Sequence, residues 1–125
     1  MDFEELKRKA EARRRRPLEV AAGVTLHLRQ ATRHEVTLEL ARRGRRPGGE
    51  PGPETPISDM RVFVEMGVVG WQGVCESHVT GDLADTAPLV WSAAAVPLLL
   101  DAQSHWELMA REALLDLLGP ATEKN

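Results

Sequence analysis

Two stretches near the start of the chain alternate apolar with polar residues, Leu18-Glu19-Val20 and Val24-Thr25-Leu26-His27-Leu28-Arg29. Period-two alternation is the mark of a half-buried strand. Ala21-Ala22-Gly23 lies between them, and glycine reaches the positive φ values that tight turns require. The pattern predicts a β-hairpin whose apolar set, Leu18, Val20, Val24, Leu26 and Leu28, must pack on helices, because two strands alone are not stable in water.

The rest of the chain supplies helical patterns. Thr32-Arg33-His34-Glu35 fits a capping box and predicts a helix to about Arg43 with Gly44 as terminator. Met60, Phe63, Val64, Gly67 and Val68 recur at the spacing of one helix face, widened by Val62, Met66 and Val69, so a helix from Ser58 should be central to the core until Gly70-Trp71-Gln72-Gly73-Val74 breaks it. Leu89-Val90-Trp91 reads as a short extended piece leading to Ser92, a candidate cap for a helix over Ala93–Ala102 that Pro97 should strain. Ser104-His105-Trp106-Glu107 forms a second capping-box pattern, Glu107 and Arg111 form an i,i+4 pair, and Gly119-Pro120 is a stop signal.

At the N-terminus, Asp2–Arg16 places acids first and bases last, the order favoured by the helix dipole. A helix ending before Pro17 is expected. Its apolar residues, Phe3, Leu6, Ala10 and Ala12, are too few for a broad buried face, so it reads as a solvated or partner-seeking arm, mobile when unbound. Four prolines and three glycines between Pro47 and Pro56 predict a flexible loop. The expected fold is α+β and mainly helical, a short N-terminal β-hairpin packed on a bundle of about four helices. The organisation is a basic arm over residues 1–16, one globular domain over 17–119 with a loop at 46–57, and a tail over 120–125.

Composition narrows the function classes. A length of 125 residues suits one domain, and a hydrophobic fraction of 42% with 28% charged residues suits a folded chain. The start matches no signal peptide, and the longest apolar run, Ala93 to Leu100, falls short of the roughly 20 residues a membrane span needs. Cys75 is the only cysteine, which excludes an internal disulfide and agrees with a reducing compartment. The net charge of −3 conceals an asymmetry: residues 1–46 carry 13 Lys/Arg against 7 Asp/Glu, and residues 47–125 carry 3 against 12. Such a split predicts charge-complementary contacts within or between molecules.

Catalytic equipment is not evident in the sequence. Cys75-Glu76-Ser77-His78 puts a thiol near an imidazole, but nothing specifies the third group that would orient the base, and a zinc site would need further ligands at recognisable spacing. A half-buried Cys and a loop His are the simpler reading. His27, His34 and His105 read as surface residues. The carboxylates Asp82 with Asp85, and Glu35 with Glu39, are close in sequence without a pocket to separate their pKa values. Gly48-Gly49-Glu50 lacks the Lys and Ser/Thr of a phosphate-cradling loop. The expectation is a non-enzymatic protein with no metal and no cofactor. Arg13, Arg14, Arg15 and Arg16, with the Arg42–Arg46 cluster, have no interleaved aromatics, so acidic protein surfaces suit them better than nucleic acid. Trp71, Trp91 and Trp106 read as core anchors first and partner contacts second.

Taken in order, these parts resemble the tail assembly chaperones encoded just before the tape measure gene in long-tailed bacteriophages. The hairpin with Gly23 and Val24-Thr25-Leu26 comes first, then the capped helix from Thr32 and the apolar helix running into Val68-Val69-Gly70-Trp71-Gln72-Gly73-Val74. Val90-Trp91-Ser92 follows at the entry to the C-terminal helices, and the chain closes on Glu123-Lys124-Asn125. The resemblance spans residues 18–125, with Gly-Trp-x-Gly-Val and the closing tripeptide its strongest motifs. The Arg-rich start and Cys75–Ala87 are less typical of the family. The tripeptide can be encoded GAA-AAA-AAC, which holds a slippery A-AAA-AAC. The resemblance accordingly implies a minus-one programmed frameshift that extends this short form into a longer one.

A chaperone of this kind binds the tape measure protein in the host cell cytoplasm while tail tube protein is recruited, and is absent from the mature virion. Its partners would be those two proteins, the frameshifted longer form of itself and further copies in a homo-oligomer, with no membrane. Arg13–Arg16 and Trp71 are the candidate partner-binding residues. The alternative is a small nucleic-acid-associated or regulatory protein that uses the basic N-terminal arm.

Overall fold

The computed structural model describes residues 1–44 and 59–117. The loop expected at 46–57, the start at Ser58, the stop at Gly119-Pro120, Arg45, Arg46 and the closing tripeptide lie outside the described residues. The elements run α1 (Phe3–Arg13), β1 (Arg15–Ala21), β2 (Val24–Arg29), α2 (Arg33–Arg42), α3 (Asp59–Gly67), β3 (Val68–Gln72), α4 (Ser77–Thr80), α5 (Ala95–Ala102) and α6 (Ser104–Asp116). The fold is α+β and mainly helical, with an N-terminal hairpin packed against helices.

The hairpin forms where alternation places it. β1 and β2 pair antiparallel with Leu18 opposite Leu26, and they turn through Ala22-Gly23, with Gly23 at φ 76°. Val20, Val24, Leu26 and Leu28 are buried and Leu18 packs beside them, so the inward face matches the expected set. Pro17 sits in β1, an outer strand, where its missing N–H costs no ladder bond.

The apolar run expected to be one helix is two elements. α3 stops at Gly67, and Val68–Gln72 is a third strand paired to β2, giving the order β1-β2-β3. Its register sets Trp71 opposite Leu26 and Gly70 opposite His27. Local periodicity is overridden by pairing with a strand some forty residues earlier. Steric fit marks the junction, because a Cβ on Gly67 would lie 2.4 Å from Leu114 Cδ1. Met60, expected in the core, is exposed, whereas Val62 and Val64 are fully buried.

Around these elements the core gathers Val96, Leu99 and Leu100 of α5 and Trp106, Ala110 and Leu114 of α6. Ser92 Oγ accepts from the Ala95 amide at 3.1 Å, as a cap should, although α5 starts at Ala95 and not Ala93. Pro97 therefore lies in the first turn, where no intrahelical N–H bond is lost, and it does not strain the helix. The capping box expected at Ser104 does not form. The chain passes from α5 to α6 through Gln103 alone, so Ser104 is already helical, and Gln103 donates to the His78 carbonyl at 3.0 Å.

The expected basic arm also divides. α1 ends at Arg13, and Arg15 and Arg16 belong to β1, with Arg14 the only residue between. Competition with the β2 ladder stops the helix before Pro17 is reached: Arg15 pairs with Arg29 and Arg16 with Leu28.

Candidate interaction surface

At the end of β2, two residues fasten the N-terminal helix to the body. Arg29 donates from Nε and Nη2 to the Glu11 carboxylate at 2.7 and 3.0 Å, and from Nη1 to Glu35 at 3.0 Å. One guanidinium thus joins α1 to the capping box of α2, where Thr32 and Glu35 exchange the expected pair of bonds. Gln30 accepts from Arg14 Nη1 at its carbonyl, donates its amide to the Arg14 carbonyl, and reaches the Leu114 carbonyl through Nε2 at 2.6 Å. The hydrogen bonds from Arg29, with the one from Arg15, hold the Glu11 carboxyl at about 2. The Glu35 carboxyl is lowered first by the Thr32 amide and then by Arg29. Neither Arg29 nor Gln30 stands out in the sequence, because their importance comes from three separate segments meeting at one strand end.

This attachment has a consequence for α1. Its eleven residues include none that is buried, and Phe3 and Leu6 are 69% and 54% exposed. Phe3, Leu6 and Ala10 recur at i, i+3 and i+7 and form one stripe. Surface helices normally turn such a stripe inward and leave charge outside. Here charged Glu11 and the adjoining Arg14 make the contacts with the body, and the apolar stripe faces solvent.

The four arginines expected to act together are dispersed. Arg13 is exposed in the last turn of α1, Arg14 bonds the Gln30 carbonyl, Arg15 donates to Glu11 at 2.9 Å, and Arg16 lies 4.0 Å from Asp116 of α6. Trp71 faces the core side of the sheet, half-buried, and its Nε1 donates to the Leu89 carbonyl at 2.7 Å. Trp91 returns a bond from Nε1 to the Val68 carbonyl at 3.1 Å. With Leu89 N–H on the Val74 carbonyl and a bridge between Cys75 and Pro88, this segment pairs just beyond the end of β3, and the two indoles carry the contact back to β3 itself. The two tryptophan motifs thus meet as one crossed latch, and Trp106 is buried on the core face of α6.

A second ionic group ties the helices. Glu65, the buried carboxylate of α3, accepts from Arg61 at 3.0 Å and Arg43 at 3.1 Å. Arg61 also reaches Asp101, Glu107 and the Pro97 carbonyl. Glu107 is thereby engaged across the bundle and not with Arg111. Glu39 accepts from Arg42 and Arg43, whose hydrogen bonds hold its carboxyl at about 2. Beside this group an open groove of about 490 Å³ has Met66, Ala93, Ala94 and Pro97 on its floor.

The Cys75 cluster is local. Cys75 Sγ lies 3.0 Å from Ser77 Oγ and 3.5 Å from His78 Nδ1, which also accepts the Cys75 amide at 3.0 Å, while the His78 ring packs on Trp106. That backbone bond occupies the nitrogen a thiol would need as its base, so the arrangement is a turn cap. His34 and His105 are exposed, and His27 is half-buried on the outer face of the sheet over Gly70. Asp85 accepts from Thr80 and Asp82 caps the Ala84 amide. Glu35 and Glu39 belong to separate arginine groups. Among the described residues, no group of three or more His, Cys, Asp or Glu is placed to hold a metal ion, and no helix is long and apolar enough to cross a membrane. Comparison with family models, curated proteins and solved structures gives no match to the chain.

Proposed function

We propose that this protein is a tail assembly chaperone of a long-tailed bacteriophage. It binds the tape measure protein in the host cytoplasm while tail tube subunits are recruited, and it leaves before the virion is complete. The observation that carries a binding role is α1, a helix fastened by its charged side with Phe3 and Leu6 turned to solvent. A helix of this length is marginal in water without packing, so an apolar stripe presented this way fits contact with another protein. The partner's identity rests on the resemblance, two of whose motifs, Gly70-Trp71-Gln72-Gly73-Val74 and Val90-Trp91-Ser92, lie together in the latch.

Contacts of this kind are individually weak and repeated along a long partner, which permits release when tube subunits replace them. Nothing in the role requires a reacting group. Coexpression with the tape measure protein tests the proposal. The long protein should shift from the insoluble to the soluble fraction and copurify with this chain. Solubility unaffected by the chain, with no copurification, sinks the reading. If the gene slips as the resemblance implies, intact-mass analysis of its products should also show a longer form carrying the minus-one frame.

A further inference from the structure

We infer that α1 is an arm that undocks and melts as a unit while the rest of the chain stays folded, with Glu11 as its one side-chain attachment. None of its eleven residues is buried, and the apolar core gathers no residue before Leu18. Lys7 with Glu4 and Lys9 with Glu5 pair along the helix itself. Among the described residues, every side-chain hydrogen bond or ion pair from α1 to another element ends on the Glu11 carboxylate, with Arg29 of β2 at 2.7 and 3.0 Å and Arg15 of β1 at 2.9 Å. Arg14, by contrast, is fixed to Gln30 through both its carbonyl and its guanidinium. The sheet therefore begins firmly at Arg14, and the hinge lies between Arg13 and Arg14.

Release leaves little unsatisfied. Arg29 keeps Glu35 at 3.0 and 3.2 Å when Glu11 departs, and Glu11 is already partly exposed, so water takes up its carboxylate. An eleven-residue helix is marginal in water by itself, so docking and helix formation are lost together. Openings confined to such a segment lie well below the free energy of global unfolding. The opened state also lengthens the arm: its thirteen residues reach about 45 Å fully extended, against about 16 Å for the eleven in the helix. Phe3 and Leu6 lie towards the end away from the hinge, so release carries these apolar anchors outward. A segment that searches as coil and refolds on contact meets its partner faster than a fixed one. The inference concerns the arm alone and stands whatever partner it meets.

Amide hydrogen exchange of the purified full chain at neutral pH, read segment by segment by mass spectrometry, tests it. Amides of α1 should exchange about ten- to a hundredfold slower than an unstructured peptide, yet at least about a hundredfold faster than those of Ala110–Leu114 in α6. Glu11→Gln should speed α1 exchange a further five- to tenfold, roughly, and leave α6 within about twofold of the wild type. Arg29→Lys, which keeps the charge and loses the paired bonds, should speed α1 in the same direction. Exchange of α1 at the rate of α6 overturns the inference, because the arm then opens only when the whole chain unfolds. Peptide-like exchange in the wild type overturns it as well, since α1 is then not docked. An α1 rate unmoved by Glu11→Gln, or α1 and α6 speeded equally, overturns the assignment of Glu11 as the attachment. None of these outcomes touches the coexpression test of the chaperone reading.

Discussion

Gly73→Ala should be among the most damaging single-methyl additions in the molecule. Gly73 follows β3 with φ 80°, and a Cβ there would lie 1.9 Å from the carbonyl oxygen of Gly23 in the hairpin turn. The left-handed conformation costs an L-residue about 1–2 kcal/mol. The contact adds about 1–3 kcal/mol, because its neighbour is backbone and cannot rotate away. Gly81→Ala is the internal control, since Gly81 has φ 77° with nothing within 4 Å of its added Cβ. Gly23→Ala is a second, with φ 76° and equally open space. At about 4 °C per kcal/mol for a domain of this size, the controls should lower Tm by about 4–8 °C and Gly73→Ala by about 8–20 °C. Urea titration followed by circular dichroism gives the same comparison as free energies. If Gly73→Ala falls within about 0.5 kcal/mol of both controls, the close approach of the two turns is not a constraint and the reasoning fails.

Three further outcomes follow from the ionic groups and the latch. Glu11, Glu35 and Glu39 have folded pKa values below the ordinary carboxylate value, so their contribution is fully present above about pH 5 and is lost as pH falls towards 2. Tm should decline over that window and less steeply in Glu39→Gln; an unchanged slope would count against it. Glu65→Ala should cost about 2–3 kcal/mol by urea titration and Glu65→Gln about half that, because Arg61 and Arg43 keep other partners; equal losses would show that the side-chain amide recovers nothing. Trp71→Phe should cost about 1 kcal/mol beyond the change in ring size for the lost bond to Leu89, and Trp71→Ala about 3–4 kcal/mol; a neutral Trp71→Ala would argue that the indole is held for a partner and not for the fold.

What the sequence discloses follows the range of the forces involved. The hairpin and the start of α2 were legible because alternation, Gly23 and the Thr32–Glu35 box act within a few residues. β3 was not, since Val68–Gln72 continues the apolar run of α3 and becomes a strand only because Leu28 and Leu26 are there to pair with it. Ser104 failed as a cap because α5 and α6 are joined by one residue, a connection shorter than the pattern assumes. At the candidate surface, Phe3 and Leu6 were recognised as too few to bury, whereas Arg29, which sets their orientation, carries no local signal. Arg13–Arg16 are contiguous in sequence but end on different elements, and Trp71 bonds its own chain.

A three-stranded sheet exposes two edges, and a bare edge is a template on which any extended segment can add another strand. At one edge Pro17 interrupts the row of donors in β1, and at the other the segment holding Leu89 and Trp91 is tied to β3 by the two indole N–H bonds. In the proposed role, with copies gathered beside a long partner, runaway strand addition would be the main hazard, because it rarely reverses. Blunting both edges disfavours that route and leaves helix faces and side chains as the surfaces open to reversible contact.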